Sequence, residues 1–427
     1  MLGVLIVLYG VKLTLTPVQI GWITSFYGFG YLIFPFFFGK IVDRISRKKS
    51  LLIATISITG ISAVYIGLIA IGSGPSANLF FIGMIIGQFL RAAGYSFYWP
   101  TIEAYLSENS EHSEEAHKKS FARFCMAWAF GSAVGSGLAG IFAEISVLLG
   151  FCIVVLIYMC AIIIAWKVIP YSSSKSAQHK QMQQSQMQQS QIQQAPIQQA
   201  PIQQSSPQQT STKQKSVKQK SAKIILNQPE KNQKNYRFWI SSILILGTLL
   251  FAIGIKAILS YFPNFAVLPE RLGWTDSFTG NILFIFGIGH FLSYLLHKLF
   301  PVSFNALILS SSIIVILFIA MYFAINAWIW AIILFTAGFF IGRTYYISLE
   351  LLMKFEENEK GAKAGIFESL VGIGNAITPI LAGSFAIISL NIPFMFFAGI
   401  CGVILILMLI SLRNIHKYEK SIRIPSK

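Results

Sequence analysis

The stretch Gly39-Lys40-Ile41-Val42-Asp43-Arg44-Ile45-Ser46-Arg47-Lys48-Lys49-Ser50-Leu51 crowds eight polar or charged side chains between two apolar segments, at about 19–39 and 51–71. Each flanking run is close to the ~20 residues that cross a hydrocarbon core as a helix. So short a polar connection between two such runs is a tight turn joining two membrane helices. Charges crowded against a bilayer are costly unless they serve a purpose. Their order is specific as well: a glycine, an acid at Asp43, then a basic cluster of Arg44, Arg47, Lys48 and Lys49.

The rest of the chain has the same character. Of 427 residues, 55% are hydrophobic and 11% charged, with a mean hydropathy of +0.64. A soluble domain carries about 25% charged residues, so composition implies a polytopic membrane protein. Cys125, Cys152, Cys160 and Cys401 all fall inside apolar segments without metal-ligand spacing, and read as small hydrophobes. No metal site or cofactor is expected.

Apolar runs fall at about 1–11, 19–39, 51–71, 78–100, 120–143 and 146–168, and again at 238–262, 277–298, 303–324, 327–350, 365–388 and 393–412. That is six and six. The first is only half of a spanning length and lacks the basic start of a signal peptide, so the chain reads as beginning part-way through a first helix. Between the two sets, 171–236 carries a five-residue Gln-rich repeat at 181–210 and reads as a disordered linker. A flexible chain of that length has an end-to-end distance of roughly 45 Å. The expected domains are an N-terminal bundle at 1–170, the linker at 171–236, a C-terminal bundle at 237–413 and a basic tail at 414–427.

The net charge of +17 would suggest nucleic acid in a soluble chain, but the placement of the charges excludes that partner. Loops on the side opposite the 40–49 turn hold only Lys12 and Arg271. Arg91, Lys256 and Arg343 lie within apolar runs, and every other Lys and Arg falls on the side of the turn. The positive-inside rule then puts the turn, both termini and the linker in the cytoplasm of a multi-pass cell-membrane protein. Membrane lipids are the expected contact of the surplus charge.

The two sets also repeat one another. Gly131-Ser132-Ala133-Val134-Gly135-Ser136-Gly137-Leu138-Ala139-Gly140 matches Gly374-Asn375-Ala376-Ile377-Thr378-Pro379-Ile380-Leu381-Ala382-Gly383 at five positions in one frame. With this repeat, the 39–51 turn resembles the loop signature of the major facilitator superfamily, G-x-[LI]-x-D-R-x-G-R-[RK], with Ser46 in place of its glycine. The resemblance implies an all-α membrane fold of two parallel six-helix bundles. It also implies secondary transport of a small-molecule substrate by alternating access. In that family the acid of the loop faces the start of the eleventh helix, so Gly39, Asp43, Arg44 and Arg47 are candidate gating residues. Glu103 and Glu108 are the expected partners of the arginines.

Charges deep in a membrane usually face a cavity or a partner. Arg91 shares a helix face with Tyr95 and Tyr98, and Arg343 shares one with Glu350. His290 is also deep, whereas Lys256 lies nearer the opposite side, within reach of the interface. An anionic group held between Arg91 and Arg343 is the expectation, with Glu103, Glu350, Glu368 or His290 as proton carriers. No phosphate-binding G-x-x-x-x-G-K-[ST] motif and no hydrolytic constellation occur. Catalysis is not expected, and the coupling ion is expected to be the proton. A non-transporting receptor or scaffold, or an uncoupled permease, is the rival reading. A monomer is expected.

Overall fold

The structure is a computed structural model that describes residues 1–71, 77–109, 114–168, 230–354 and 360–423. The Gln-rich segment, most of the expected linker, lies outside them. The elements are α1 (Leu2–Lys12), α2 (Pro17–Val42), α3 (Arg47–Ile71), α4 (Ala77–Asn109), α5 (Glu114–Ile145) and α6 (Val147–Val168). Then come α7 (Glu230–Lys256), a π-helical turn (Ala257–Tyr261), α8 (Phe262–Val267), α9 (Asp276–Leu295) and α10 (Phe304–Phe323). The last three are α11 (Ala327–Lys354), α12 (Lys360–Ala386) and α13 (Ile392–Arg423). Among the described residues, eleven helices are long and apolar enough to cross a membrane, and α1 is a shorter apolar helix.

Local chemistry explains the helix ends. Thr16 and Gln19 form a capping box with Pro17 in the first turn of α2, which satisfies backbone N–H groups that a helix start leaves unpaired. Thr275 and Ser303 cap α9 and α10 through their side-chain oxygens. The turn that decided the fold is tighter than its charge run suggests. Arg47, Lys48 and Lys49 already belong to α3, and the Ser46 hydroxyl accepts from Lys49 N at 3.4 Å. Serine is a preferred N-cap, so Ser46 starts a helix where the family pattern has glycine. Arg47 folds back to donate to Val42 O at 2.7 Å, neutralising a bare carbonyl at the end of α2.

One break lies inside a span. The π-helical turn Ala257–Tyr261 follows Lys256 and precedes Pro263. Proline has no N–H to give the carbonyl four residues earlier, and a widened turn is one way a helix absorbs that loss.

The described residues form two compact units. Met1–Ser172 with Ile243–Leu409 is the first; Ser173–Ser242 with Ile410–Lys427 is the second, described only at the start of α7 and the end of α13. Within the first unit the halves α1–α6 and α7–α13 meet along two long seams, α2 against α12 and α5 against α9. Both seams depend on missing side chains. A Cβ on Gly28 would stand 2.1 Å from Ala376 N, and one on Gly372 would stand 2.4 Å from Leu32 N. In a lipid environment, where burial of apolar surface drives helix pairing little, such close backbone approach is what joins helices.

At the end opposite the basic turn, Lys12 Nζ pairs with Asp276 Oδ2 at 2.9 Å and Glu144 Oε2 accepts from Ser277 N at 3.0 Å. A carboxylate at a helix start is favoured by the exposed N–H groups there. Two tests separate a seam glycine from an ordinary one. Gly28→Val is expected to destabilise the protein by about 1–3 kcal/mol through overpacking, seen as an earlier thermal transition in detergent. Gly60→Val, at a position with no neighbour within 4 Å of its would-be Cβ, is expected to leave that transition nearly unmoved.

Candidate functional site

Between the seams, the halves enclose a cavity of about 220 Å³. α2 contributes Tyr27 and Tyr31, stacked with ring centroids 5.4 Å apart. Residues four apart share a helix face, and α4 uses the same spacing to present Arg91, Tyr95 and Trp99. α5 supplies Trp128, α7 supplies Phe251 and Lys256, α11 supplies Tyr345, and α12 supplies Glu368 and Asn375.

One end of the cavity is cationic. The Arg91 guanidinium lies 4.7 Å from the Tyr27 ring centroid and the Lys256 ammonium lies 5.0 Å from the same ring. Neither cation has a carboxylate partner among the described residues. Arg91 Nε and Nη1 donate no hydrogen bond, and Asn375 Oδ1 accepts none. Buried polar groups are normally paired, so these atoms are what a bound molecule would meet. A smaller chamber of about 90 Å³ adjoins this end, bounded by Thr24, Gln88, Ser136, Ser260 and Met1.

The other end is acidic. Glu103 of α4 and Glu368 of α12 are 0% and 4% exposed and lie near each other. Tyr31 Oη donates to Glu368 Oε2 at 2.6 Å, and Tyr345 Oη donates to Glu103 Oε1 at 3.4 Å. Glu103 Oε2 has no O–H or N–H donor otherwise.

The structure gathers Arg91, Tyr95, Lys256 and Glu368 around the cavity, with Glu103 buried near Glu368 and not on the lining. It corrects the expectations for the other deep residues. Arg343 is not the second cation of the site. Its Nη2 donates to Pro301 O at 2.7 Å and its guanidinium sits 5.5 Å from the Phe300 ring, at the loop between α9 and α10. At ~100° per residue, Arg343 and the cavity residue Tyr345 lie on opposite sides of α11. Lys256 takes the place expected of Arg343, instead of reaching for the interface.

His290 is turned away and shares a hydrogen bond with Tyr294 Oη at 2.7 Å, packed on Trp128. Glu350 lies beside Tyr346 and Arg343. Tyr98 packs edge-on against Trp99 and does not line the cavity, whereas Tyr95 shares a hydrogen bond with Tyr158 Oη at 2.7 Å.

Around the turn, Arg47 pairs with Asp43 at 3.3 Å rather than with Glu103, whose partners are Glu368 and Tyr345. The side chain of Glu108 lies outside the described residues. The base of the turn does reach α12: a Cβ on Gly365 would stand 3.2 Å from Gly39 Cα. Tyr27, Tyr31, Trp128, Tyr345 and Asn375 were not singled out in the sequence. The i, i+4 tyrosine pair beside Gly28 was the available signal for the first two.

The fold and sequence comparisons agree with the helical architecture. Superposition gives TM-scores of 0.55 and 0.56 with two structures of the Escherichia coli fucose:proton symporter FucP, at 17% and 16% identity. The alignments cover 96% of this chain and 95% and 96% of those chains. The human organic anion transporter MFSD10 gives 0.56 at 14% identity, covering 91% of this chain and 83% of that one. A search of curated protein sequences finds none that matches. The sequence model of the Major Facilitator Superfamily matches residues 1–356, most of the chain, and the protein belongs to that superfamily.

Proposed function

We propose that this protein is a secondary active transporter that moves a small organic anion together with protons by alternating access. The observation that carries the substrate class is the placement of Arg91 and Lys256 on one tyrosine ring, in an enclosed cavity, without a carboxylate on either. A bound anion would supply the missing counter-charge, and charge-assisted hydrogen bonds are the stronger kind. Trp99, Trp128, Phe251 and Tyr345 form a wall suited to an apolar or aromatic body. A cavity of about 220 Å³ has room for a small organic solute. The roles of two structural neighbours, proton symport by FucP and organic anion transport by MFSD10, accord with this reading. At such low identity they speak for the fold, and the chemistry rests on the cavity.

The basic end is assigned to the cytoplasm by the positive-inside rule, with the protein in the cell membrane and working as a monomer. Gating at that end centres on Asp43, which ends α2 next to the first turns of α12. Contacts made in only one of two conformations bias the equilibrium between them.

Two expectations test the site. Arg91→Gln and Lys256→Gln should each weaken uptake of an organic anion such as benzenesulfonate by tenfold or more, as loss of a charged hydrogen bond of about 1.5–3 kcal/mol predicts. Arg343→Gln should leave its apparent affinity nearly unchanged. Equal losses from Arg91→Gln and Arg343→Gln would remove the assignment. For the gate, Asp43→Asn keeps the shape of the side chain and removes the charge that Arg47 meets at 3.3 Å. Thermal stability should therefore hold while turnover falls, and unchanged turnover would show that the turn has no gating role.

A further inference from the structure

The smaller chamber of about 90 Å³ and the cavity it adjoins have different walls. Tyr27, Arg91, Ser132 and Lys256 line both, so the two spaces meet at the cations. Trp99, Trp128, Phe251, Tyr345 and Glu368 line only the larger one. Gln88, Ser136 and Ser260 line only the smaller, whose described wall holds no carboxylate. Gly3 and Val4 of α1, with Met1 before them, close its remaining side.

Three elements bring hydrogen-bond donors to this chamber. α4 brings Gln88 and Arg91, three residues apart, and α5 brings Ser132 and Ser136, four apart. Lys256 ends α7 and Ser260 lies four residues on, in the π-helical turn. Such spacings put each pair on one helix face. The donors are unspent. A serine in a helix commonly turns its hydroxyl back on the carbonyl four residues earlier, as Ser62, Ser96, Ser310 and Ser311 do. Among the described residues, Ser132, Ser136 and Ser260 make no such bond, and Arg91 Nε and Nη1 donate to nothing. Gln88 Oε1 accepts from Tyr65 Oη at 3.5 Å, which leaves its Nε2 to donate. Thr24 is the exception on this wall, since its hydroxyl donates to Ile20 O at 3.0 Å.

Buried donors are normally met by an acceptor. A carboxylate offers two oxygens in one plane, and an arginine fork taken side-on uses both. That leaves the serine hydroxyls of the other two walls unmet. A tetrahedral head with three terminal oxygens can turn one to each wall.

We infer that the smaller chamber is a head-group subsite that takes the tetrahedral oxyanion head of an organic sulfonate or phosphonate in preference to a carboxylate. The body of the solute then lies against the aromatic wall of the larger cavity. This rests on the anion-transport reading above, and adds which anions are taken and where their heads sit.

The test measures half-saturating concentrations for exchange of labelled benzenesulfonate, phenylphosphonate and benzoate in proteoliposomes holding the full-length chain. The three share one ring and differ in the head. The better of the two tetrahedral anions should half-saturate at a concentration at least tenfold below that of benzoate, and which one is better distinguishes the two sources. Ser136→Ala and Ser260→Ala, from opposite halves, each remove one hydrogen bond to a charged group. Each should raise half-saturation for that tetrahedral anion tenfold or more, while the value for benzoate stays within twofold. Either variant answers the question if the other does not fold.

Benzoate bound as well as the tetrahedral anions, or a preference that survives in a folded serine variant, would overturn the inference and leave anion transport standing. Equal losses for benzoate and the tetrahedral anion would reduce the serines to a structural role and overturn it as well. Exchange of none of the three would overturn the anion reading, and the subsite with it.

Discussion

Everything in the described fold depends on two backbone crossings. α2 approaches α12, and α5 approaches α9, so closely that a methyl group on Gly28, Gly140, Gly280 or Gly372 would overlap main-chain atoms of the facing helix. The two crossings are equivalents in the internal repeat. Gly140 closes the repeated run of α5 and meets Gly280 of α9; Gly383 closes the matching run of α12 and meets Pro17 of α2. A sequence motif that occurs twice thus does the same work twice, joining one half to the other. Polar cargo sites can survive between halves joined this way because the seams need little side-chain volume. The space between them is left for Tyr27, Trp128 and Tyr345.

The seams also decide which charges meet. Arg91 and Lys256 come from opposite halves, as do Glu103 and Glu368, and no member of either pair has a charged partner of the other sign within its own half among the described residues. Each pair exists only while the halves are docked as they are here. Cations at one end and carboxyls at the other, separated by an aromatic wall, keep the two signs from collapsing into a salt bridge that would fill the site. Tyr27 contributes to that separation by offering its ring face to both cations.

Much of this was legible in the residues. Apolar runs located the cores of the spanning helices but not the polar turns by which α4, α5, α7 and α13 extend beyond them, and the loop signature with the repeat identified the superfamily. Of the deep charges singled out, Arg91 and Lys256 line the cavity, whereas Arg343 and His290 do not. A helix that is apolar around most of its circumference gives no periodic signal of which face meets the cavity. Arg343 and Tyr345, two residues apart, therefore could not be ranked. Lys256 was misjudged for a different reason. Depth along the sequence assumed a straight helix, whereas the π-helical turn at Ala257–Tyr261 and Pro263 interrupt it just beyond the lysine. Pairing of Glu103 with Glu368, which are 265 positions apart in the numbering, is a tertiary fact that no local pattern encodes.

The two ends of the molecule carry different polar contacts. Opposite the basic turn, the halves are joined by charge: Lys12 with Asp276, and Glu144 with the start of α9. Lys12 is partly exposed, and a pair of that kind contributes only about 0–1 kcal/mol, so water can replace it at small cost. At the basic end, Asp43 pairs with Arg47, four residues along the same turn. The turn is braced on itself while its base, Gly39, rests against Gly365 of α12. Backbone contact between the halves runs to both ends, at Gly140 with Asp276 and at Gly365 with Pro35, and the ionic contacts of the first end add to it. Opening either end therefore has to move whole helices apart, α5 from α9 at the first and α2 from α12 at the second.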